Sequence, residues 1–518
     1  MIRNDLAPSL SLDGVWALLS AGGEPLGQIR VPGCWEAQGY PKTLDGPVRY
    51  RRTLAVPAAW AGQRVLLEFD AVSYAAAVWC NGQRVGDHLG LWTPFALDVS
   101  AALRPGQENL FEIEVVKPCH QLTGGRYPLR TTLAGFLPDV ATSFGGIWQG
   151  VRLRVLRAGF DDLHVTADPE TGMVRVRSKL LLPETDQPVV LTATLMYQGA
   201  AVAVQTISHL QAGPLDCALP VERPMRWSPA QPNLYTLHLE LRAGAAPLAT
   251  AAQRIGFRRL NQVDGQLLLN DEPIYLRGVL SWGWDPDNIA PWVSREQARA
   301  EIRRVRSLGF NLIKLCLFIP NQTYYEAADE EGMLLWQEWP LWLPEMTDGL
   351  RARAPDEYAA YMRLTRHHPS VVVYSLGCEL DRSVDGALLQ QLDSVARRAT
   401  DGVLFCDNSG SGEAYGGLPV DFADFADYHT YGDLHYLEPM LDHWRRDWQR
   451  PRPWLFGEFC DADDFRDRPR ILAAHQGCPP WWMTADNPTY TWRAEVRALA
   501  EAEQRLQATG LPHTGQEL

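Results

Sequence analysis

The sequence predicts a multidomain protein in which two β-sandwiches precede a (β/α)8 barrel, and three observations predict it. The chain has 518 residues, more than one hydrophobic core usually organises, so about three domains are expected. Up to about residue 257, apolar and polar residues alternate along short runs, the period of half-buried strands. Beyond about residue 260, apolar strand-like runs alternate with amphipathic segments, the pattern of parallel strands covered by crossover helices.

In the first region, residues 1–157, strands are expected at 48–54, 64–69, 76–80 and 109–116. Asn81-Gly82 stands between two such runs and marks a tight hairpin, because both residues tolerate the positive φ of a primed turn. The second region, residues 158–259, has its clearest strands at 174–180, 189–195 and 234–241. It has the size of an immunoglobulin domain but lacks the Cys-Trp-Cys hallmark, so an immunoglobulin-like sandwich without the disulfide is expected. In the third region, residues 260–518, seven apolar strands are expected at 274–278, 311–315, 333–337, 371–376, 403–406, 423–429 and 454–458. An eighth near Pro480-Trp-Trp-Met would close a barrel. Helices are expected at 295–308 and 388–399, where apolar residues recur three and four apart.

Bulk properties narrow the function. The 62 acidic and 48 basic residues give a net charge of −14, which repels nucleic acid and anionic membranes, so neither is an expected partner. Nine cysteines are scattered without a CxxC pair, which indicates neither a zinc knuckle nor a disulfide framework. Met1-Ile-Arg-Asn-Asp-Leu lacks an apolar signal core, and no window reaches the roughly 18 apolar residues of a membrane span. A cytoplasmic protein with reduced thiols is expected.

Barrel enzymes place their chemistry where strands end and loops begin. Three glutamates end apolar strands: Glu338, Glu379 and Glu458. Retaining hydrolysis of a glycosidic bond needs one carboxylic acid and one carboxylate about 5 to 5.5 Å apart, and residues ending strands four and seven can converge across a barrel mouth. A glutamate in such a place is as readily a salt-bridged or solvated residue, and spacing alone does not single out the pair.

The ordered motifs resemble glycoside hydrolase family 2, the family of β-galactosidases, β-glucuronidases and β-mannosidases. Val31-Pro-Gly-Cys-Trp, Tyr50-Arg-Arg-Thr, Val78-Trp-Cys-Asn-Gly-Gln-Arg-Val-Gly, Thr93-Pro-Phe and Gly145-Gly-Ile-Trp resemble its sugar-binding jelly-roll domain. Arg226-Trp-Ser-Pro-Ala-Gln-Pro-Asn-Leu-Tyr-Thr-Leu and Arg254-Ile-Gly-Phe-Arg are similar to the end of its immunoglobulin-like sandwich. In the barrel, Leu276-Arg-Gly-Val, Tyr325-Glu-Ala-Ala-Asp-Glu-Glu-Gly, His368-Pro-Ser-Val-Val-Val-Tyr-Ser-Leu-Gly-Cys-Glu and Pro453-Trp-Leu-Phe-Gly-Glu-Phe follow the family's order.

The resemblance implies a retaining exo-β-glycosidase acting on a carbohydrate, with Glu379 as acid/base and Glu458 as nucleophile, needing no cofactor, and no residue is singled out as a metal ligand. It implies that His429 and Tyr431 orient the nucleophile, and it carries the expectation of a homo-oligomer. Glu338 either meets substrate or forms a structural ion pair. Arg277 and Lys314 either donate to sugar or nucleophile or pair inside the barrel. Among the 19 tryptophans, Trp282, Trp284, Trp339, Trp342, Trp481 and Trp482 fall near strand ends, with Trp481 or Trp482 favoured to stack on a pyranose.

The sequence also departs from the family. Cys378 stands where the family places the Asn that contacts the sugar 2-hydroxyl, and a thiol is a weak substitute for an amide. Another side chain then makes that contact, or the substrate differs there, or activity is weak, down to an inactive carbohydrate-binding barrel. Leu317-Phe-Ile-Pro replaces the His-Tyr-Pro of many members. No Asn-x-Lys follows Glu458, which disfavours a glucuronide and leaves a β-galactosidase- or β-mannosidase-like activity as the expectation.

Overall fold

The computed structural model describes residues 2–119, 126–136, 143–285, 287–410, 420–430, 438–439, 441–442 and 452–459. The chain divides into two compact units, residues 1–429 with 450–457 and residues 430–449 with 458–518. Two β-sandwiches and a five-stranded parallel sheet all lie in the first unit.

The amino-terminal region is a two-sheet β-sandwich. A six-stranded sheet runs in the order Pro25–Val31, Gly14–Ser20, Val48–Ala55, Glu108–Val116, Ala75–Cys80, Gln83–Leu89, and a four-stranded sheet in the order Ser9–Ser11, Val151–Val155, Val65–Phe69, Phe95–Asp98. Period-two alternation turns Trp16, Tyr50 and Phe111 of one sheet and Leu67 and Phe69 of the other into one buried core. The expected hairpin is present, with Asn81 at φ 51° and Gly82 at φ 82° between adjacent strands.

A second sandwich packs three strands (Gly159–Ala167, Met173–Leu181, Gly213–Pro220) against four (Ala200–Leu210, Val189–Tyr197, Tyr235–Ala243, Ala246–Ile255). Leu191, Leu195, Leu219, Leu237 and Leu241 fill its core. A small antiparallel sheet, Leu260–Val263, Gln266–Leu269 and Glu272–Pro273, leads into the parallel region.

There strands and helices alternate: β1 (Gly278–Ser281), α1 (Arg295–Ser307), β2 (Leu312–Leu315), α2 (Gln322–Glu331), β3 (Leu334–Glu338), α3 (Asp348–Thr365), β4 (Val371–Ser375), α4 (Gly386–Arg397), β5 (Leu404–Cys406), β6 (Ala426–Thr430) and β7 (Trp454–Phe459). Strands β1 to β5 form a parallel sheet in chain order, and β6 pairs with β7. The residues of β2 to β5 are buried, as strands covered on both faces must be. Helix α1 starts at a capping box made by Ser294 and Gln297, and Asp385 caps α4 by accepting from the Leu388 amide.

One expected strand boundary needs correction. The first strand begins at Gly278 rather than Ile274, because residues 272–273 still pair with 268–269 and the Ile274 amide donates to Leu267. Helices α2 and α3 add to the two that periodicity predicts. Pro355 lies inside the 18-residue α3, where it removes a backbone donor and masks the helical signal. The eighth strand falls on residues outside the described ones, as do Tyr431, Trp481 and Trp482.

Buried joints fasten the second sandwich to the parallel region. Trp227 is fully buried and its indole donates to the Asp329 carbonyl in α2. The Asp329 carboxylate meets His368 Nδ1 at 2.6 Å and accepts from the Ser370 amide at 3.0 Å, just before β4. The Arg258 guanidinium donates to the carbonyls of Pro369, Val371, Asp401 and Gly402.

Candidate active site

The site is built where β4 ends. Past Ser375 the chain continues through parallel bridges from Cys378 to Trp342 on one side and to Ser409 on the other. The Cys378 amide donates to Leu341, the Ser409 amide to Gly377, and the Glu379 amide to Ser409 at 2.7 Å. The Asn408 side chain accepts from the Leu380 amide and donates back to its carbonyl. Held on both sides, Glu379 adopts φ 53°, a left-handed conformation that is costly without a glycine and that concentrates at functional sites.

The fixed backbone aims a fixed carboxylate. Glu379 Oε1 lies 3.0 Å from His429 Nδ1, and Oε2 accepts from the Trp342 indole at 3.0 Å. The His429 ring is anchored from behind. Its Nε2 lies 3.4 Å from Asp427 Oδ2, and Asp427 accepts from the Ser409 hydroxyl at 2.6 Å and from the amides of Gly410 and Gly457. Lys314 donates to Ser409 Oγ at 2.9 Å and lies 3.0 Å from Glu338 Oε1. A continuous buried polar chain therefore runs Glu338, Lys314, Ser409, Asp427, His429, Glu379.

Burial opposes a charged imidazole, but the hydrogen bonds to Asp427 and Glu379 prevail and raise the His429 pKa to about 9. Burial likewise opposes the Asp427 carboxylate, yet His429, Lys314 and Ser409 hold its pKa below the usual value. Near neutral pH the ring is an imidazolium between two acidic side chains.

A loop of the first sandwich reaches this site. Phe136 packs edge-on against Trp282 at 4.9 Å and Trp342 at 4.6 Å, and the Arg130 guanidinium lies 4.0 Å from the Trp342 ring centroid. The approach at Gly135 admits no side chain, since a Cβ there would lie 1.9 Å from the Leu317 carbonyl oxygen.

Of the residues that the sequence singles out, Cys378, Glu379, His429, Glu338 and Lys314 come together here. The structure puts His429 Nδ1 on Glu379. Arg277 is removed from the site. It is exposed at the amino-terminal end of β1, and its guanidinium donates to the Gly309 carbonyl before β2, at the opposite end of the sheet. Trp339 is core, packed against Tyr361 and Tyr374. Trp282 and Trp284 are exposed. Glu458 is half-buried on β7, in the second compact unit. Asp427 and Ser409 escape the sequence reading. The two-residue spacing of Asp427 and His429 on one strand, which puts both on one face, is the available signal.

Comparison with known proteins agrees with this architecture. Residues 25–122 match the family "Glycosyl hydrolases family 2, sugar binding domain" and residues 160–258 match "Glycosyl hydrolases family 2". A β-galactosidase of Photobacterium profundum is 27% identical over 398 residues, covering 68% of this chain and 37% of its own. A β-glucuronidase of Paenibacillus borealis is 27% identical over 384 residues, covering 68% of this chain and 62% of its own. Among solved structures, Bacteroides uniformis β-glucuronidase superposes with a TM-score of 0.74 at 21% identity, covering 88% of this chain and 59% of that one. Ruminococcus gnavus β-glucuronidase gives 0.73 at 18% identity, covering 88% and 84%. The chain thus spans well under two thirds of the length of several relatives that it matches.

Proposed function

Because the chain belongs to glycoside hydrolase family 2, we propose that it is a retaining exo-β-glycosidase working at the non-reducing end of a carbohydrate. The observation that carries this reading is Glu379, fixed at the end of β4 in a strained backbone conformation with both carboxylate oxygens engaged.

In the proposed double displacement, Glu379 delivers a proton to the leaving oxygen while Glu458 attacks the anomeric carbon, and Glu379 then activates water to release the sugar. A carboxylate facing an imidazolium favours its ionised form, so the proton needed for the first step is held by the Glu379–His429 pair as a unit. We take the architecture as a jelly roll (1–157), an immunoglobulin-like sandwich (158–259) and a (β/α)8 barrel (260–518), with Tyr431 and Trp481 or Trp482 completing the site. Among the relatives, the names β-galactosidase and β-glucuronidase both occur. The missing Asn-x-Lys after Glu458 speaks against a glucuronide, so a β-galactoside or β-mannoside is favoured.

One observation favours a second reading, a weak or inactive carbohydrate-binding protein. Cys378 is buried at 2% exposure and offers only a thiol where the family uses an amide toward the 2-hydroxyl. A panel of aryl β-glycosides (galactoside, mannoside, glucoside, glucuronide), with NMR of the anomer first released, tests both. Release of one sugar as the β-anomer supports the enzyme; binding of one sugar without release supports the second reading.

A further inference from the structure

We propose that Cys378, Glu379 and His429 form a binding site for a zinc-like divalent cation. Their candidate ligand atoms, one thiol sulfur, one carboxylate oxygen and one ring nitrogen, lie within 4.8 Å of one another. Tetrahedral zinc with bonds of about 2.0 to 2.3 Å sets its ligands roughly 3.5 Å apart. Glu379 Oε1 and His429 Nδ1 are already at 3.0 Å, so drawing the three atoms onto one ion takes about an ångström of side-chain movement.

The donor set decides the kind of ion. Magnesium and calcium take oxygen ligands, whereas a thiolate, an imidazole and a carboxylate suit zinc or cobalt. Support behind the histidine is the independent observation. A metal-bound imidazole ordinarily turns its other nitrogen to a carboxylate that fixes its tautomer and orientation. His429 Nε2 lies 3.0 Å from the Ser409 hydroxyl and 3.4 Å from Asp427, a fully buried carboxylate itself clamped by Ser409 and the Gly410 and Gly457 amides. The Lys314 ammonium, 3.5 Å from Nε2, opposes the ion's charge. The thiolate and the Glu379 carboxylate together offset two positive charges, with the thiol and ring protons released to solvent.

Cys378 makes the difference, since an amide at this position supplies no thiolate. A cation here occupies Glu379 and blocks the hydrolysis proposed above. That consequence rests on the proposed function, while binding itself does not.

The test uses the full chain, stripped with a chelator and titrated with Co2+ alone, then with Zn2+ in competition. The expected result is one equivalent of Co2+ per chain with a thiolate charge-transfer band that Zn2+ removes. The band disappears in Cys378→Asn and in His429→Gln, each checked for folding by circular dichroism, and persists in Cys316→Ser, whose thiol packs in the same apolar cluster. Asp427→Asn weakens binding by about 10- to 100-fold. The absence of a thiolate band, its survival in both Cys378→Asn and His429→Gln, or its loss in Cys316→Ser alone overturns the proposal. Hydrolysis without metal binding leaves the glycosidase reading standing, and metal binding without hydrolysis leaves this one.

Discussion

Lys314 and Glu338 form a buried ion pair of the site, at 2% and 0% exposure and 3.0 Å apart. With an effective dielectric constant near 20, two unit charges at that distance attract by about 5.5 kcal/mol, which roughly offsets the cost of removing both from water. Deleting one partner forfeits the attraction while leaving the other charge buried. Lys314→Met should therefore destabilise the protein by about 3 to 5 kcal/mol, and Glu338→Leu by a similar amount. The double variant leaves neither charge buried, so it should cost less than Lys314→Met alone, with a coupling energy of at least about 3 kcal/mol. Urea denaturation of the four proteins, followed by tryptophan fluorescence, measures the cycle. If the two losses simply add, the pair is not an energetic unit and the polar chain from Glu338 to Glu379 does not act as one.

The same geometry sets three further outcomes. A His429 pKa raised from 6.5 to about 9 contributes stability that is full below pH 6.5 and is lost as pH rises through 9. With chelator present, Asp427→Asn should thus fall short of the native protein by up to about 3 kcal/mol more at pH 6 than well above pH 9, Glu379 holding the rest of the shift, read by denaturation at each pH. Trp342→Phe removes the donor to Glu379 Oε2 and should lower kcat/KM by roughly 10- to 100-fold in steady-state assays, the equivalent of one hydrogen bond to a charged group. Gly135→Ala should cost about 1 to 3 kcal/mol more than Gly199→Ala in unfolding experiments. Both glycines have φ near 80°, but only a Cβ at 135 would meet the Leu317 carbonyl.

Local rules make much of the fold readable. Asn81-Gly82 closes its hairpin because the turn needs positive φ, and the apolar runs ending in Glu338 and preceding Glu379 are parallel strands of the sheet. Helix α3 is hidden by Pro355, whose missing donor the packing of Tyr358 and Tyr361 overrides. Arg277 misleads because a residue beside an apolar run lies at either end of the strand, and only pairing tells which. The support behind Glu379 is beyond local reading. Ser409 joins Lys314 from 95 residues away, and Arg353 donates to the Thr131 carbonyl of the first sandwich across 222 residues, so no periodicity records these contacts. Several motifs that carry the family resemblance, Trp227 and Asp329 among them, are joints between sandwich and parallel region.

The central claim is that Glu458 and Glu379 divide the work of double displacement. Glu458→Ala, assayed on an activated aryl β-glycoside with and without sodium azide, tests it most directly. The account predicts a loss of activity on the order of 10⁴-fold or more, partly restored by azide with formation of the α-glycosyl azide. Near-native activity in Glu458→Ala, or release of the inverted sugar by the native protein, would contradict it.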